Sequence, residues 1–231
     1  MTRLPLPVLA LVLALCSLTT SNARAATITA DGTTCTLADA IVAANTDAAT
    51  GGCPQGDAGA DTVVLDADVT LTAADLGSTV RNGVGAGLPD VTDDLTITAG
   101  LGSVIRRDPK FTCDAATVDP VFRFLNLESG SLTLQSLSFE DGCFVAADTL
   151  SQGGGIYAAA STRLTLDEVS VARFGAFTTS GSFDGAFLYS LGDELNVVGS
   201  HFDDIEAESA GDLSGGVIHA EELGPVTLIQ V

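Results

Sequence analysis

The sequence predicts an all-β chain coiled as a parallel β-helix, a solenoid closed at its N-terminal end by one short amphipathic helix. Three observations carry that prediction. The apolar set Leu132, Leu134, Leu137 and Phe139 returns 32 residues later as Leu164, Leu166, Val169 and Val171, after another 31 as Leu195, Val197, Ser200 and Phe202, and after 31 more as Val226, Leu228 and Val231. A period of this length is a solenoid signature. A second recurrence lies between these sets, Gly155-Ile156-Tyr157, Ala186-Phe187-Leu188 and Gly216-Val217-Ile218, spaced 31 and 30. Each repeat also holds two alternating runs split by a polar corner, Gln135-Ser136 or Asp167-Glu168, and a third run after a glycine turn. Three short strands per coil would put inward Leu, Val and Phe on the same residue type one coil away, roughly 4.8 Å apart. An antiparallel meander could alternate too, but it has no need of corners at matching phases.

In chain order, Arg3 precedes an apolar run from Leu4 to Leu18, and Ala23-Arg24-Ala25 places small residues where a signal peptidase reads. Residues 1–25 are therefore expected to be a secretory signal cut after Ala25, which implies a secreted or cell-surface protein. The run is short for a membrane anchor, and no other stretch is long and apolar enough to span a bilayer. Leu13-Ala14-Leu15-Cys16 approaches a lipoprotein box, with Leu15 too bulky for the position before the cysteine.

Residues 26–61 read as an N-terminal cap. Thr36 can N-cap a helix, Asp39 can reach back to it as in a capping box, and Ala40, Ile41 and Ala44 give the apolar stripe. These residues also carry a resemblance. Cys35-Thr36-Leu37-Ala38-Asp39-Ala40-Ile41, then Ala43-Ala44-Asn45, Cys53 and Gly59-Ala60-Asp61-Thr62-Val63-Val64-Leu65 resemble the start of the CSLREA-domain proteins, whose pattern runs C-S-L-R-E-A-I-x-A-A-N and then G-x-D-T-I-x-L. The resemblance covers about thirty residues and implies a secreted or surface-displayed protein with a right-handed parallel β-helix after the motif. Ala38 and Asp39 stand where that family has Arg and Glu, so a salt bridge made by the family's arginine is absent here.

Residues 62–231 are expected to be the coils of the β-helix. Val63 to Leu71, Leu95 to Ile97 and Val121 to Leu127 read as its earlier coils, with Ala73 to Asp94 and Arg106 to Pro120 bulging out as loops. Loops on one side of a solenoid are where ligands usually bind. Since Val231 falls inside a repeat, the expectation is a truncated relative of longer β-helix proteins, or an edge-to-edge contact at an open C-terminal coil.

Without residues 1–25 the chain keeps 7 basic and 30 acidic residues, a formal charge of 7 − 30 = −23. Such a field repels phosphates, which excludes nucleic acid and anionic lipid as partners and leaves cations, basic surfaces or neutral glycans. The simpler account is that acidity keeps an exported chain soluble. With 46% hydrophobic residues, 5% aromatic and no Trp, one core built mainly from aliphatic side chains is expected. Four cysteines then remain, Cys35, Cys53, Cys113 and Cys143. An even count in an exported chain points to disulfides, and of the three connectivities Cys35–Cys53 with Cys113–Cys143 is favoured, a metal site being the competing reading without a C-x-x-C pair to support it.

For chemistry, a polysaccharide lyase on this scaffold needs acids converging on Ca²⁺ and an arginine or lysine base near a sugar C5 proton. Asp203, Asp204, Glu206 and Glu208 cluster after one strand, Asp90, Asp93 and Asp94 sit in a loop, and Arg163 and Arg173 fall in the preceding repeat. No acids recur at one phase in successive repeats to build a wall of ligands. The four carboxylates at 203–208 are therefore expected to hold, at most, a structural Ca²⁺. A glycosidase needs two carboxylates facing each other about 5–9 Å apart, which loop acids could supply. His201 and His219 stand alone, and Gly153-Gly154-Gly155 and Gly83 to Gly87 read as turns rather than phosphate loops. Tyr157 and Tyr189, at near-equivalent phases, could stack a glycan. The function expected is an exported, non-catalytic β-helix acting in surface display, adhesion or glycan binding, with a glycan or a surface protein as partner; a carbohydrate-active enzyme, lyase or glycosidase, is the alternative.

Overall fold

The computed structural model describes residues 24–100, 102–111, 113, 121–146, 150–178, 181–209, 211–221 and 224–231; nearly all of the expected secretory signal lies outside them. Among these residues the chain forms a parallel β-solenoid of about six turns, 48% strand with one helix.

Every strand pairs in parallel with its counterpart one coil away. The first sheet carries one strand from each coil, β1 (Thr27–Ala30), β2 (Asp61–Leu65), β4 (Leu95–Ala99), β7 (Ser131–Gln135), β12 (Arg163–Asp167), β16 (Glu194–Val198) and β20 (Val226–Ile229), in that order. A second is built from β3 (Val69–Leu71), β5 (Val104–Arg107), β8 (Ser138–Glu140), β13 (Ser170–Thr178) and β17 (His201–Ser209), with β9 (Cys143–Ala146) pairing the far half of β13. Two smaller sheets close the coil, β10 (Leu150–Gln152) with β14 (Ser182–Asp184) and β18 (Leu213–Ser214), and β6 (Leu125–Leu127) with β11 (Ile156–Ala158), β15 (Leu188–Ser190) and β19 (Ile218–Ala220).

The coil therefore has more straight segments than the three expected, because left-handed residues bend it. Ser136, Glu168, Gly199 and Gln230 share one corner at φ 52–57°, and Asp141, Arg173 and Asp204 share a second at φ 53–55°. Glycine makes the third: Gly153, Gly185 and Gly215 have φ of 57, 64 and 68°. Positive φ is costly for residues with a Cβ, so its recurrence once per coil shows that stacking imposes the bend. At the first corner the polar side chains also meet, Gln135 donating to Asp167 at 3.1 Å and Ser136 to Glu168 at 3.1 Å.

The inward columns follow the repeat. Leu95, Leu132, Leu164, Leu195 and Val226 stack in register, and beside them Ile28, Val63, Ile97, Leu134, Leu166, Val197 and Leu228. All are buried except at the last coil, where Val226 and Leu228 are 46% and 56% exposed against 0% for Leu195 and Val197. The core is built mainly from aliphatic side chains, as the composition implies, with a file of phenylalanines inside it. Phe124, Phe139, Phe174, Phe187 and Phe202 run through its centre with ring centroids 5.2–6.0 Å apart. The second recurrence is shifted by one residue: Ile156 pairs with Leu188 and Leu188 with Ile218, so the spacing is 32 then 30. Gly155 thus faces Phe187, whose ring fills the space a Cβ at 155 would need, 2.4 Å away.

Helix α1 (Leu37–Thr46) covers the N-terminal end, burying Leu37, Ala40, Ile41, Ala43 and Ala44 into the same core. Thr36 caps it, its hydroxyl accepting from the Asp39 N–H at 3.1 Å and donating to the Asp39 carboxylate at 2.7 Å. Ahead of it the Asp31 carboxylate accepts the N–H groups of Thr33, Thr34 and Cys35 at 2.7–3.1 Å, which holds that carboxyl down at about 2. The solenoid begins earlier than residue 62, because β1, within the expected cap, already pairs with β2. Asp61 takes the inward position below Leu95. Its buried carboxylate accepts from the backbone of Ala26 at 2.7 Å and of Asp57 at 3.2 Å, so it ends the apolar column by tying down the two segments that cross it. Disulfides join Cys35 to Cys53 and Cys113 to Cys143, the favoured pairing.

Candidate functional site

The long loop after β3 is the solenoid's largest departure from repetition, and it folds back over the sheet that carries the tyrosines. Ala86 bridges Arg123 and Val91 bridges Leu127, both in parallel, so residues 84–91 run beside β6 as an extra rung. Outward from that sheet, Asn126, Tyr157, Tyr189 and His219 form one column in register. Tyr157 stacks on Tyr189 at 5.7 Å and Tyr189 on His219 at 5.3 Å, each pair inclined by 23°. The tyrosines are only 6% and 2% exposed. Arg81 lies over the Tyr157 ring at 5.4 Å and is itself ion-paired with Glu128. Their ring faces are therefore spent on one another, and a sugar has no open face to stack on.

Two acids complete this column. The Tyr189 hydroxyl donates to Glu221 Oε2 at 3.0 Å, and Glu221 Oε1 lies 3.0 Å from His219 Nε2. Burial, reinforced by the Glu221 carboxylate, pushes the Tyr189 phenol well above the usual tyrosine value. A phenol held protonated in this way is a donor, not a base. At the other end Asp90 accepts from Thr79 N at 2.7 Å and from Asn126 Nδ2 at 3.1 Å, anchoring the loop to β6.

Arg123 is fully buried beneath this loop. Its Nη1 donates to the carbonyls of Arg81 and Val84 at 3.1 and 2.8 Å, Nη2 to Gln152 at 2.7 Å, and Nε to Gly153 at 2.7 Å. Its guanidinium also sits 5.1 Å from the Phe144 ring and 5.7 Å from that of Tyr157. Burial draws its pKa down to about 10. Composition gave no sign of this residue, yet its planar set of donors pins the loop and the glycine corner together.

The two arginines considered as bases lie at the surface, and each is ion-paired with acids of a neighbouring coil, Arg173 closely and Arg163 loosely. Arg173 donates to Asp141 at 2.6 Å and Glu140 at 2.7 Å, and those acids push its pKa far above the ordinary value. Arg163 lies 3.6 Å from Glu194, its register partner one coil on. Among the described residues no group of three or more His, Cys, Asp or Glu converges as metal ligands would. Asp203, Asp204, Glu206 and Glu208 are all exposed along β17, strung out over the strand rather than folded around a point. Asp93 accepts from the Asp94 N–H at 2.7 Å, and Asp94 accepts from Ser131 N at 2.8 Å on the next coil.

A concave surface does lie beside the cap. Ala38, Asp39, Val42, Asn45 and Thr46 of α1 face Asp75, Gly77, Pro89, Asp90 and Thr92 across a groove of about 400 Å³. Ala38 also lines a second hollow of about 250 Å³, with Gly32, Thr36, Asp68, Leu71, Gly87 and Leu88 among its walls. Asn45 sets the width of the first. Its amide donates to the Asp90 carbonyl at 2.7 Å and accepts from Thr92 N at 3.0 Å, locking the helix to the loop. No family model, no curated protein and no solved structure matches this chain.

Proposed function

We propose that this chain is an exported, non-catalytic β-helix of the CSLREA-like kind, acting in surface display, adhesion or glycan binding. The observation that carries the reading is where the basic side chains go. Arg173 is clamped by Glu140 and Asp141, Arg81 by Glu128 and Arg123 by backbone carbonyls, so each staples one coil or loop to another. A lyase base must be free to take a proton from carbon, and these are committed. The two disulfides fit an oxidising compartment.

The groove between α1 and the 72–94 loop is the surface that meets a glycan in this reading, its small aliphatic floor at Ala38 and Val42 rimmed by Asp39, Asp75 and Thr92. The test is a glycan array probed with the purified chain, with and without Ca²⁺, alongside Val42→Arg, which fills the groove without touching the core. Glycan signal lost in Val42→Arg supports the reading. Signal that persists in that variant, or none on any glycan, removes the glycan arm of it.

A further inference from the structure

Asp61 is the most deeply buried acid among the described residues, 1% exposed at the foot of an inward column otherwise filled by leucine and valine. None of the ion pairs among the described residues reaches it. Its oxygens face backbone instead: Oδ1 accepts from the Ala26 N–H at 2.7 Å, and the Asp57 N–H lies 3.2 Å from Oδ2. Oδ2 also lies against Gly56 beneath α1, where an added Cβ would stand 2.3 Å from that oxygen and 2.8 Å from the Ala43 carbonyl oxygen. A buried carboxylate answered by neutral donors alone keeps much of its desolvation cost, which a cation would offset.

The nitrogen nearest to it belongs to the residue that the expected signal cut makes first. Ala23-Arg24-Ala25 is the small-residue site read from the sequence. Arg24 and Ala25 are exposed, and Ala26 is half-buried where β1 begins. Hydrolysis of the Ala25–Ala26 amide puts the oxygen of a water on the Ala25 carbonyl carbon and breaks the C–N bond. Ala26 is left with an α-amine that is protonated at neutral pH. Both partners are already fixed by backbone, since the Ala26 carbonyl accepts from Thr62 N at 2.9 Å and the Asp61 N–H donates to the Asp94 carbonyl at 3.1 Å.

We infer that removal of the signal creates the missing counter-ion: the α-ammonium of Ala26 pairs with buried Asp61 and locks the first coil beneath α1 in the mature chain alone. A neutral N–H becomes a charge-assisted donor on the same atom. The register is strict, because a terminus one residue earlier moves the amine by about 3.8 Å and a terminus one residue later removes the Ala26 nitrogen altogether. The inference rests on the export reading, since export is what removes residues 1–25, and it is independent of the glycan groove.

Amine labelling reads the pair directly. Lys110 is the sole lysine and its side chain is 83% exposed, so a purified chain beginning at Ala26 carries two amines only. In mild acylation at pH 7 a free α-amine outpaces a lysine, because its pKa lies about two to three pH units lower. Here the order should invert. Mass spectrometry of the digested chain should find Lys110 labelled first and Ala26 slowed about tenfold or more relative to the same chain in urea, and Asp61→Asn should restore the ordinary order. Melting separates the charge from the hydrogen bond: Asp61→Asn should lower the melting temperature of the Ala26 chain by about 5 °C more than that of a chain keeping Ala25 behind an added Gly-Ser. An Ala26 amine that reacts as fast folded as in urea, or an equal loss from Asp61→Asn in both chains, would overturn the inference. N-terminal sequencing of the chain secreted by an expression host should read Ala26 first. Secretion with another first residue overturns the inference and leaves export standing, whereas retention of residues 1–25 takes both away.

Discussion

Truncating one inward column at two heights should produce very different costs from similar chemistry. Leu164 is 1% exposed between Leu132 and Leu195, whereas Val226 ends the same column at 46% exposed. Leu164→Ala removes three buried carbons, about 2.4 kcal/mol at roughly 0.8 per carbon, and leaves a cavity between two ordered coils that adds about 1 kcal/mol more. Val226→Ala removes two carbons that are half in water already, about 0.8 kcal/mol. Urea unfolding followed by circular dichroism would measure the difference, and hydrogen exchange would locate it. In a solenoid each coil touches only its neighbours, so exchange in Leu164→Ala should quicken in β7, β12 and β16 and stay slow in β1 and β2. Equal costs for the two variants, or a uniform loss of protection along the chain, would refute both the register and the stacking argument. Leu164→Asp, which buries an unpaired carboxylate, should unfold the coils around it outright.

Arg123→Met should cost about 3–5 kcal/mol in the same assay, because the carbonyls of Val84, Gln152 and Gly153 lose their donor at a buried site, and Arg123→Lys should not rescue it since a single ammonium cannot span them. Mass spectrometry of an unreduced digest should return Cys35 with Cys53 and Cys113 with Cys143. Reduction should lower stability by about 3 kcal/mol per bridge in the chain-entropy model, and four free thiols would contradict the pairing. In a Tyr157→Phe chain, whose sole tyrosine is Tyr189, tyrosinate absorbance should stay silent past the ordinary phenol range. A phenol pKa raised by folding adds stability that is full below about pH 10 and fades as pH climbs above it, so Glu221→Gln should bring ionisation to lower pH. At the acid end the folded Asp31 carboxyl lies near 2 against an ordinary 3.8, so its contribution is present above about pH 4 and disappears as pH falls toward 2; melting of Asp31→Asn should be flatter across that window.

The fold was legible where the repeat is strict. Leu132, Leu164, Leu195 and Val226 sit where spacing alone placed them, and the corners at Ser136 and Glu168 could be read as polar breaks at a fixed phase. Thr36 and Asp39 announced the helix start through local chemistry. What could not be read depends on contacts between distant segments. The Thr27–Ala30 strand alternates over four residues only, too short a run to mark a strand by itself, and β2 offers the edge that it pairs with. The one-residue slip at Gly155 arises because the intervening corner differs in length between coils. Tyr157 and Tyr189 looked like open platforms; Arg81, from a loop more than seventy residues earlier in sequence, covers Tyr157, and Tyr189 is closed between Tyr157 and His219. The acid–arginine–acid corner did leave a signal, Asp141, Arg173 and Asp204 at separations of 32 and 31, but it alternates in sign and so escapes a search for recurring acids.

The central claim is that the arginines of this solenoid hold coils together and abstract no protons. It is tested most directly by incubating the purified chain with polygalacturonate or alginate in Ca²⁺ and following the ultraviolet absorbance of the unsaturated product of β-elimination. The account predicts no rise above the buffer rate. A rise that vanishes in Arg173→Ala or Arg163→Ala, with the circular dichroism of the variant unchanged, would contradict it.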